Sequence, residues 1–362
     1  MTSCANDSTL ICTNVSAFTQ SDVSESTIMN SSFSGIKLLA NTLSLEKAVI
    51  ITAVSNFVAL FGFVGNILNV VVLARSRLDC TTTIILRALA VADLLYLGTS
   101  PLRNIHFYFK LVSPPLATII SSYVDCYGLT LNSTFLTISM THIVVIAVER
   151  VLAVYFPLKV SKWITSRRMS IISLGVYITW FVISVPLFFF KEVTWVYSAV
   201  LNETVPITVY TKFYRDNPQI IEWLHLYVMT MLIGPVFSSM VFICCLAIGV
   251  KLYLASRKRL KMASAHKAGI SNLKLVNLKI ARMLFVVCLI YLTAGLPLSM
   301  LRVLDAVITS LEAREIKFHF SVLVWAINCS SNFVVYVFMS DKFNQSFRAL
   351  FCRKCQISKQ GR

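Results

Sequence analysis

An acidic and a basic residue stand side by side at the end of a long apolar run. Glu149 and Arg150 follow residues 126–148, a stretch without Asp, Glu, Lys or Arg. A helix needs about 20 apolar residues to cross a bilayer, so the pair is predicted to lie where a membrane helix meets water. A charge pair at that place either anchors the helix end or takes part in function.

Asp93 is the acid that lies deepest inside an apolar segment, between Arg87 and Arg103. An uncompensated carboxylate within a membrane costs about 2.5–3.5 kcal/mol on insertion scales. Asp93 is therefore expected to be protonated or to have partners on neighbouring helices.

Enzyme chemistry finds little support in the sequence. His142 is the histidine in mid-membrane, and no second His or carboxylate stands one helical turn away from it. A Gly-x-Ser-x-Gly nucleophile elbow does not occur either. We therefore predict that the protein is not an enzyme and has no resident cofactor.

The composition indicates a membrane protein made of helices. Hydrophobic residues make up 57% and charged residues 14% of the 362, whereas soluble domains have about 25% charged residues. Backbone groups in a bilayer must be hydrogen-bonded within their own segment, which favours helices. The predicted fold is an all-α membrane protein, a seven-transmembrane helix bundle with a short amphipathic helix after the seventh span. The predicted helices cover about residues 47–74, 83–103, 118–151, 169–190, 220–254, 276–305 and 316–340.

The basic residues are concentrated in alternate loops. With the N-terminus outside, the inner segments hold 23 of the 33 Lys and Arg residues and three acids, and the outer segments hold 10 bases and 12 acids. Cytoplasmic loops carry such an excess of bases. We predict a multi-pass plasma-membrane protein with an extracellular arm, residues 1–46, and a cytoplasmic helix and tail, residues 341–362. The basic loops are expected to face the lipid bilayer, and nucleic acid is not an expected partner.

Several positions are candidates for covalent modification. The extracellular arm is predicted to be disordered and glycosylated. Beyond the seventh span, Phe343 and Phe347 recur at helical spacing, which predicts a surface helix. Cys352 and Cys355 follow this helix and are predicted palmitoylation sites; two free cytosolic thiols are the alternative. The sequon asparagines predicted to be glycosylated are Asn6, Asn14, Asn30 and Asn202.

Two short alternating segments predict a β-hairpin between the fourth and fifth spans. Residues 194–197 and 207–210 are rich in β-branched and aromatic side chains and flank the polar residues 202–204. A hairpin there could cover the mouth of the bundle and bind an extended peptide through Trp195 and Tyr197. A capping loop without a role in ligand binding is the alternative.

The order of several motifs resembles that of the rhodopsin-like G protein-coupled receptors. Glu149-Arg150-Val151 with Pro157-Leu158 is similar to the family's Asp/Glu-Arg-Tyr box and second inner loop. The residues 328–336 resemble the family's Asn-Pro-x-x-Tyr region. The other matching positions are Gly65, Asn66, Leu89, Ala90, Asp93, Trp180, Pro235 and Pro297.

The resemblance implies a role for each matching group. Glu149, Arg150, Val151, Pro157 and Leu158 are implied to couple to a heterotrimeric G protein, with Arg150 paired to Glu149 at rest. The implied activation switch is formed by Pro235, Tyr291, Pro297, Asn332 and Tyr336. Asp93 is implied to meet Asn66, Ser139, Asn328 and Asn332, either as a sodium site or as a hydrogen-bonded core without an ion. The family's amine-binding acid is Asn132 here, so the ligand bound near Asn132 is not expected to be a biogenic amine.

The sequence departs from the family pattern at several of its motif positions. The tryptophan expected two residues before Pro297 is Gly295, and the proline after Asn332 is Phe333. The family's disulfide joins the start of the third span to the segment between the fourth and fifth spans. This segment has no cysteine here, so that disulfide cannot form. Cys126 is then expected to bridge to Cys4 or Cys12, or to stay free while those two pair. Further departures are Val151, Ile243 and Asn277.

The motifs together favour a diverged receptor rather than a transport protein. The sequence resembles invertebrate neuropeptide receptors and molluscan chemosensory receptors. We expect a G protein-coupled receptor for an extracellular ligand, with a neuropeptide favoured. The alternative is a chemosensory receptor for small environmental molecules, and a remoter alternative is a transporter or channel, for which paired, broken helices would be expected.

Overall fold

The computed structural model describes residues 45–75, 81–198, 203–263, 272–303 and 311–351. Within these ranges, seven helical segments are long and apolar enough to cross a membrane. This observation confirms the predicted all-α seven-helix fold. The segments are Ile50–Arg75, Thr81–Lys110, Pro114–Tyr155, Ser166–Phe189, Leu232–Arg257, Lys279–Leu301 and Ile316–Met339, and they are called the first to seventh spans below.

The helices that form the spans extend beyond the predicted ends by a few residues in most cases. They are Leu45–Arg75, Thr81–Thr99 with Ile105–Lys110, Pro114–Tyr123 with Leu129–Tyr155, Ser166–Ser184, Pro218–Trp223 with Phe237–Ala263, Asn272–Val303 and Leu311–Met339. The shorter elements are the helices Pro157–Trp163, Lys212–Asp216 and Asp341–Phe351, the 3₁₀ segments Ser100–Asn104 and Val185–Phe189, and the π-helical segments Val124–Gly128 and Leu224–Val236.

Prolines determine where regular α-helix ends in the second span and where it begins in the third span. The second span changes from α to 3₁₀ geometry at Ser100, because a residue before proline is disfavoured in the α conformation and Pro101 follows. The third span begins at Pro114, four residues before its predicted start. The Ser113 side chain accepts a hydrogen bond from the backbone of Leu116 there, which is an ordinary N-cap.

The predicted hairpin is present between the fourth and fifth spans. Strand β1, Lys191–Ser198, pairs antiparallel with strand β2, Glu203–Tyr210. Val196 pairs with Val205, and Tyr197 pairs with Thr204. Val205, Pro206 and Thr208 of β2 are buried, whereas Trp195 and Tyr197 of β1 are 51% and 65% exposed.

The first and seventh spans approach each other closely through small residues. A Cβ atom on Gly62 would overlap Ser330 Oγ and lie 2.8 Å from a methyl carbon of Leu97. Ser330 Oγ lies within hydrogen-bonding distance of two carbonyls, that of Ala326 in its own helix at 2.6 Å and that of Val58 in the first span at 3.1 Å. The Ser330 side chain thus lies directly against the backbone of the first span at Gly62, as small residues allow in membrane helix pairs.

The residue that replaces the family's seventh-span proline is a packing centre. Leu311–Met339 is one continuous helix with Phe333 inside it. The ring of Phe333 lies edge-on to Phe343 and Phe347 of the helix Asp341–Phe351, with centroids 6.4 and 5.8 Å apart. A Cβ on Gly65 would lie 3.0 Å from Phe333 Cβ. Phe333 therefore joins the first span, the seventh span and the surface helix.

Candidate functional site

The ion pair predicted from the sequence is present and buried. Arg150 donates from Nε and Nη2 to the two carboxylate oxygens of Glu149, and the side chains are only 8% and 5% exposed. Both residues belong to the last turns of the helix Leu129–Tyr155, where the apolar run ends. We call this side of the bundle the Arg150 end and the opposite side the hairpin end.

Hydroxyl groups from the start of the second span complete the surroundings of this pair. Arg150 Nη2 donates to Thr82 Oγ1 at 2.5 Å, and Thr81 donates to Glu149 at 3.4 Å. The sequence did not point to either threonine, because their role depends on where the second span begins. The guanidinium is thus held between the second and third spans in this structure.

The third span is also tied to the fifth span near the Arg150 end. Tyr155 donates from its hydroxyl to the carbonyl of Ala247 at 3.1 Å, and Lys251 lies 4.5 Å from the centre of the Tyr155 ring. Val151 is half-buried and Pro157 is exposed. The side chains of Leu158 and Asn277 lie outside the described part of the structure.

Asp93 has the polar partners that its burial requires. Ser139 donates from Oγ to Asp93 Oδ1 at 2.5 Å, and Asn332 donates from Nδ2 to Oδ2 at 2.7 Å. The Cys329 thiol is a further hydrogen-bonding neighbour of the Asp93 carboxyl group. All four side chains are at least 96% buried. The second, third and seventh spans are thereby joined at one carboxyl group.

The other two asparagines implied to meet Asp93 are not among its hydrogen-bond partners. Asn66 donates to the carbonyls of Gly62 and Cys329, at 2.9 and 3.0 Å, and so ties the first span to the seventh. Asn328 is 4% exposed, and its Nδ2 has no partner among the described residues. The direct contacts of Asp93 therefore come from Ser139, Asn332 and Cys329.

Comparison with known proteins decides the family. The family model described as 7 transmembrane receptor (rhodopsin family) matches residues 65–336, which include Asp93, the Glu149–Arg150 pair and Tyr336. The chain belongs to this family. It is similar to somatostatin receptor type 4 of Rattus norvegicus, with 26% identity over 85% of the chain and 74% of that protein. It is also similar to melanin-concentrating hormone receptor 2 of Homo sapiens, with 24% identity over 84% of the chain and 85% of that protein.

Asn132, at the position of the family's amine-binding acid, forms hydrogen bonds within this receptor. Asn132 is fully buried, and its Nδ2 donates to Tyr96 O and Thr99 Oγ1 at 3.0 and 2.8 Å. Its Oδ1 accepts a hydrogen bond from Arg103 Nη1 at 2.9 Å. The guanidinium of Arg103 also stacks 4.7 Å from the centre of the Phe318 ring. A cationic group thus already lies beside Asn132.

Polar contacts attach the hairpin to the third span of the receptor in place of the family's disulfide. Cys126 is a buried thiol that donates to the carbonyl of Lys191 at 3.2 Å, and both alternatives for its pairing stay predictions. Lys191 Nζ pairs with Asp125 at 3.0 Å. Ser122 donates to Pro206 O at 2.7 Å and its own carbonyl accepts from Thr208 at 3.2 Å. Cys4 and Cys12 lie outside the described residues.

We predict that Ser122→Ala loosens strand β2. The substitution leaves the buried Pro206 carbonyl without its donor, which costs about 1–3 kcal/mol. Hydrogen–deuterium exchange of residues 203–210 is expected to become faster, while exchange in the spans stays unchanged. Thr194→Ala, on the exposed part of β1, is the matched control. Unchanged exchange in β2 would show that the hairpin does not depend on this contact.

Two groups of sequence-predicted residues are in contact in the structure, the Glu149–Arg150 pair and the residues around Asp93, and the other predicted residues lie apart from them. Tyr291 and Tyr336 are fully buried in the core, while Pro297 is exposed and Pro235 lies inside the π-helical segment Leu224–Val236. Trp180 donates to Thr141 at 2.8 Å. The modification sites Asn6, Asn14, Asn30, Asn202, Cys352 and Cys355 lie outside the described residues. The residues missed from the sequence are Thr81, Thr82, Arg103, Ser122, Asp125, Lys191 and Trp325.

Proposed function

We propose that this receptor binds an extracellular peptide and activates a heterotrimeric G protein at the Arg150 end. The buried Glu149–Arg150 pair carries this proposal, because a guanidinium in a membrane protein requires strong compensation and is rarely placed there without a function. Its relatives named for somatostatin and melanin-concentrating hormone favour a peptide as the ligand. The N-terminal arm is then extracellular, as the charge distribution of the loops predicts.

The hairpin end offers a surface that suits an extended ligand. Trp195 and Tyr197 project from β1 with more than half of their surface exposed. Both carry a large apolar face with a polar group, which is typical of residues that contribute strongly to binding. We infer that a peptide lies across the hairpin and enters the bundle beside Arg103, while Asn132 supports Arg103 from below.

The Arg150 end offers the surface for the G protein. At rest, the guanidinium is held by Glu149 and Thr82. Binding of the peptide favours an arrangement in which the fifth and sixth spans move outward, and Arg150 then turns from Glu149 toward the incoming G protein. Val151, Pro157 and Leu158 follow directly and form part of the same docking surface. Nucleotide exchange on the G protein is the output.

A screen of ligands against nucleotide exchange tests this function. The full chain would be expressed in cells with a promiscuous G protein and exposed to matched panels of peptides and small odorants. Exchange evoked by a peptide, and absent in cells without the receptor, is the expected result. Exchange evoked by small odorants alone would replace the peptide with a chemosensory ligand. A ligand-evoked current without nucleotide exchange would contradict the proposed function.

A sodium ion at Asp93 is a second proposal, which concerns the resting state. The donor set fits a hard cation, because a carboxylate, the Ser139 hydroxyl and the amide oxygen of Asn332 are all oxygen ligands. The amide oxygen of Asn328, one helical turn before Asn332 in the seventh span, is the proposed further ligand. The bound charge would stabilise the packing of the second, third and seventh spans around Asp93.

We predict that sodium stabilises the purified receptor and that Asp93→Asn removes the effect. At a sodium concentration ten times the Kd, the bound ion stabilises by about 1.4 kcal/mol, which corresponds to an increase of about 2 °C in Tm for a chain of this length. Tm would be measured in sodium chloride and in N-methylglucamine chloride at equal ionic strength. Asp125→Asn, which removes an acid at the hairpin end, is expected to keep the full difference. Equal Tm values of the unmodified receptor in the two salts would rule out the ion.

A further inference from the structure

The position of the family's sixth-span tryptophan has no room for a large side chain here. A Cβ on Gly295 would lie 3.1 Å from Ser238 Oγ and 3.4 Å from the ring of Tyr291. On the fifth span, a Cβ on Gly234 would lie 3.4 Å from Ser299 Oγ. Each glycine thus lies against a serine of the opposite span, Gly234 against Ser299 and Gly295 against Ser238.

A tryptophan on the seventh span occupies the neighbouring volume. Trp325 is 5% exposed, and its ring lies 6.0 Å from that of Tyr291, centre to centre, at an angle of 42°. Its indole Nε1 has no acceptor among the described residues. The other buried indole of the core, that of Trp180, donates directly to Thr141. A buried donor without an acceptor is uncommon and requires an explanation.

A small cavity adjoins this indole. Its volume is about 10 Å³, which is room for about one water molecule. The residues that line it are Met140, Ile233, Gly234, Ser238, Tyr291, Gly295, Leu298, Ser299 and Trp325. The cavity therefore lies among the third, fifth, sixth and seventh spans, and it is present because Gly234 and Gly295 lack side chains.

The hydrogen bonds around the cavity leave acceptors as well as a donor. Ser299 uses its proton on the carbonyl of Gly295, at 2.5 Å. In the contact between Ser238 Oγ and Ser299 Oγ, at 3.4 Å, Ser238 must then be the donor. Both lone pairs of Ser238 Oγ remain available, since no described residue donates to it. One indole N–H to donate and hydroxyl lone pairs to accept are the complement of a water molecule, which can do both.

We propose that this cavity is a binding site for one ordered water molecule, which accepts from Trp325 and donates to Ser238. The hydrated Trp325 replaces the missing sixth-span tryptophan as the contact that holds the fifth, sixth and seventh spans in register. A water with such partners is enthalpically close to a direct hydrogen bond and is costly to displace. Tyr291, a residue of the implied activation switch, lines the site. The site therefore lies in the part of the core that must rearrange on activation.

The sign of one substitution separates a hydrated site from a dry one. Replacement of Trp325 by 3-benzothienylalanine, incorporated by stop-codon suppression, keeps a fused bicyclic ring of nearly the same shape but removes the N–H. If water bridges Trp325 to Ser238, the purified full-length receptor should lose about 3 °C in Tm, because the water loses its donor. If the cavity is dry, removal of a donor that has no acceptor should leave Tm unchanged or raise it. The latter result would overturn the proposal.

A double-mutant cycle provides the second measurement. Gly295→Ala narrows the cavity and is expected to displace the water, which also lowers Tm by about 3 °C. Because both substitutions abolish the same bridge, the double variant should be little worse than either single variant. Fully additive losses would show two independent packing defects and would contradict the bridge. Gly175→Ala, whose Cβ meets nothing within 4 Å, controls for the change of glycine to alanine in a helix. The measurement needs neither ligand nor G protein, so its failure would leave the proposed function untouched.

Discussion

Glu149→Gln is expected to raise the basal rate of GDP release from a G protein by about 5-fold. The glutamine keeps the shape of the side chain but removes the charge that holds Arg150. A hydrogen bond to a charged group contributes about 1.5–3 kcal/mol, and a neutral one about 0.5–1.5 kcal/mol. The loss of about 1 kcal/mol from the resting arrangement therefore favours the form in which the guanidinium is released. The measurement is GDP release with receptor in lipid nanodiscs and no ligand.

Asp341→Asn is the matched control for this variant. Asp341 accepts a salt bridge from Lys279 at 2.8 Å, but the two side chains are 82% and 68% exposed. The same change from acid to amide, at the same end of the bundle, should therefore alter basal release by less than about 2-fold. A basal rate in Glu149→Gln that equals that of Asp341→Asn would show that the buried pair does not restrain the receptor.

Gly62→Leu is expected to prevent the receptor from reaching the cell surface. Even a Cβ at this position overlaps Ser330 Oγ and lies within 3 Å of Leu97, so the first and seventh spans would be forced apart. Overpacking of a close-packed core costs about 1–3 kcal/mol or more, and here it would also separate Ser330 from the Val58 carbonyl, which is 3.1 Å away. Surface labelling of intact cells, compared with total receptor, is the measurement.

Two further variants make this result specific to the helix contact. Gly175→Leu introduces the same side chain on the fourth span, where a Cβ meets nothing within 4 Å, and should reach the surface normally. An exchange of side chains, Gly62→Ser with Ser330→Gly, should restore part of the surface expression that Gly62→Ser alone loses. Normal surface expression of Gly62→Leu would mean that the first and seventh spans are not in direct contact in the cell.

The sequence was sufficient for those features that depend on short-range pattern. Hydropathy located all seven spans, because a bilayer imposes a minimum length of apolar helix. Alternation of β-branched and aromatic residues predicted the hairpin. The apolar run that ends at Glu149 predicted the position of the buried ion pair, and the deep burial of Asp93 predicted that neighbouring helices would supply its partners.

The features that could not be predicted depend on contacts between distant segments. Nothing in the sequence near Thr82 indicates that its hydroxyl meets Arg150, because this contact depends on how the second and third spans pack. The attachment of the hairpin through Ser122, Asp125 and Lys191 was missed for the same reason. One local signal was overlooked: Ser113 before two prolines marks the start of the third span.

The sequence revealed which motif residues are replaced, but it did not reveal which contacts take over their place in the structure. The sequence showed at once that Gly295 and Phe333 depart from the family pattern. It did not show that Trp325, 30 positions away from Gly295 in the chain, occupies the neighbouring volume. Nor did it show that Phe333 packs on Gly65 and on the surface helix. Both compensations become visible only when the seventh span is placed against the first and sixth.

The claim that Arg150 is the part released on activation can be tested most directly without any ligand. GDP release from a heterotrimeric G protein would be measured with Glu149→Gln receptor in nanodiscs, and again after Arg150→Ala is added to the same chain. We predict that the second substitution returns the rate to that of the G protein without receptor. A rate that stays at the level of Glu149→Gln alone, with the receptor folded by its Tm, would contradict the account.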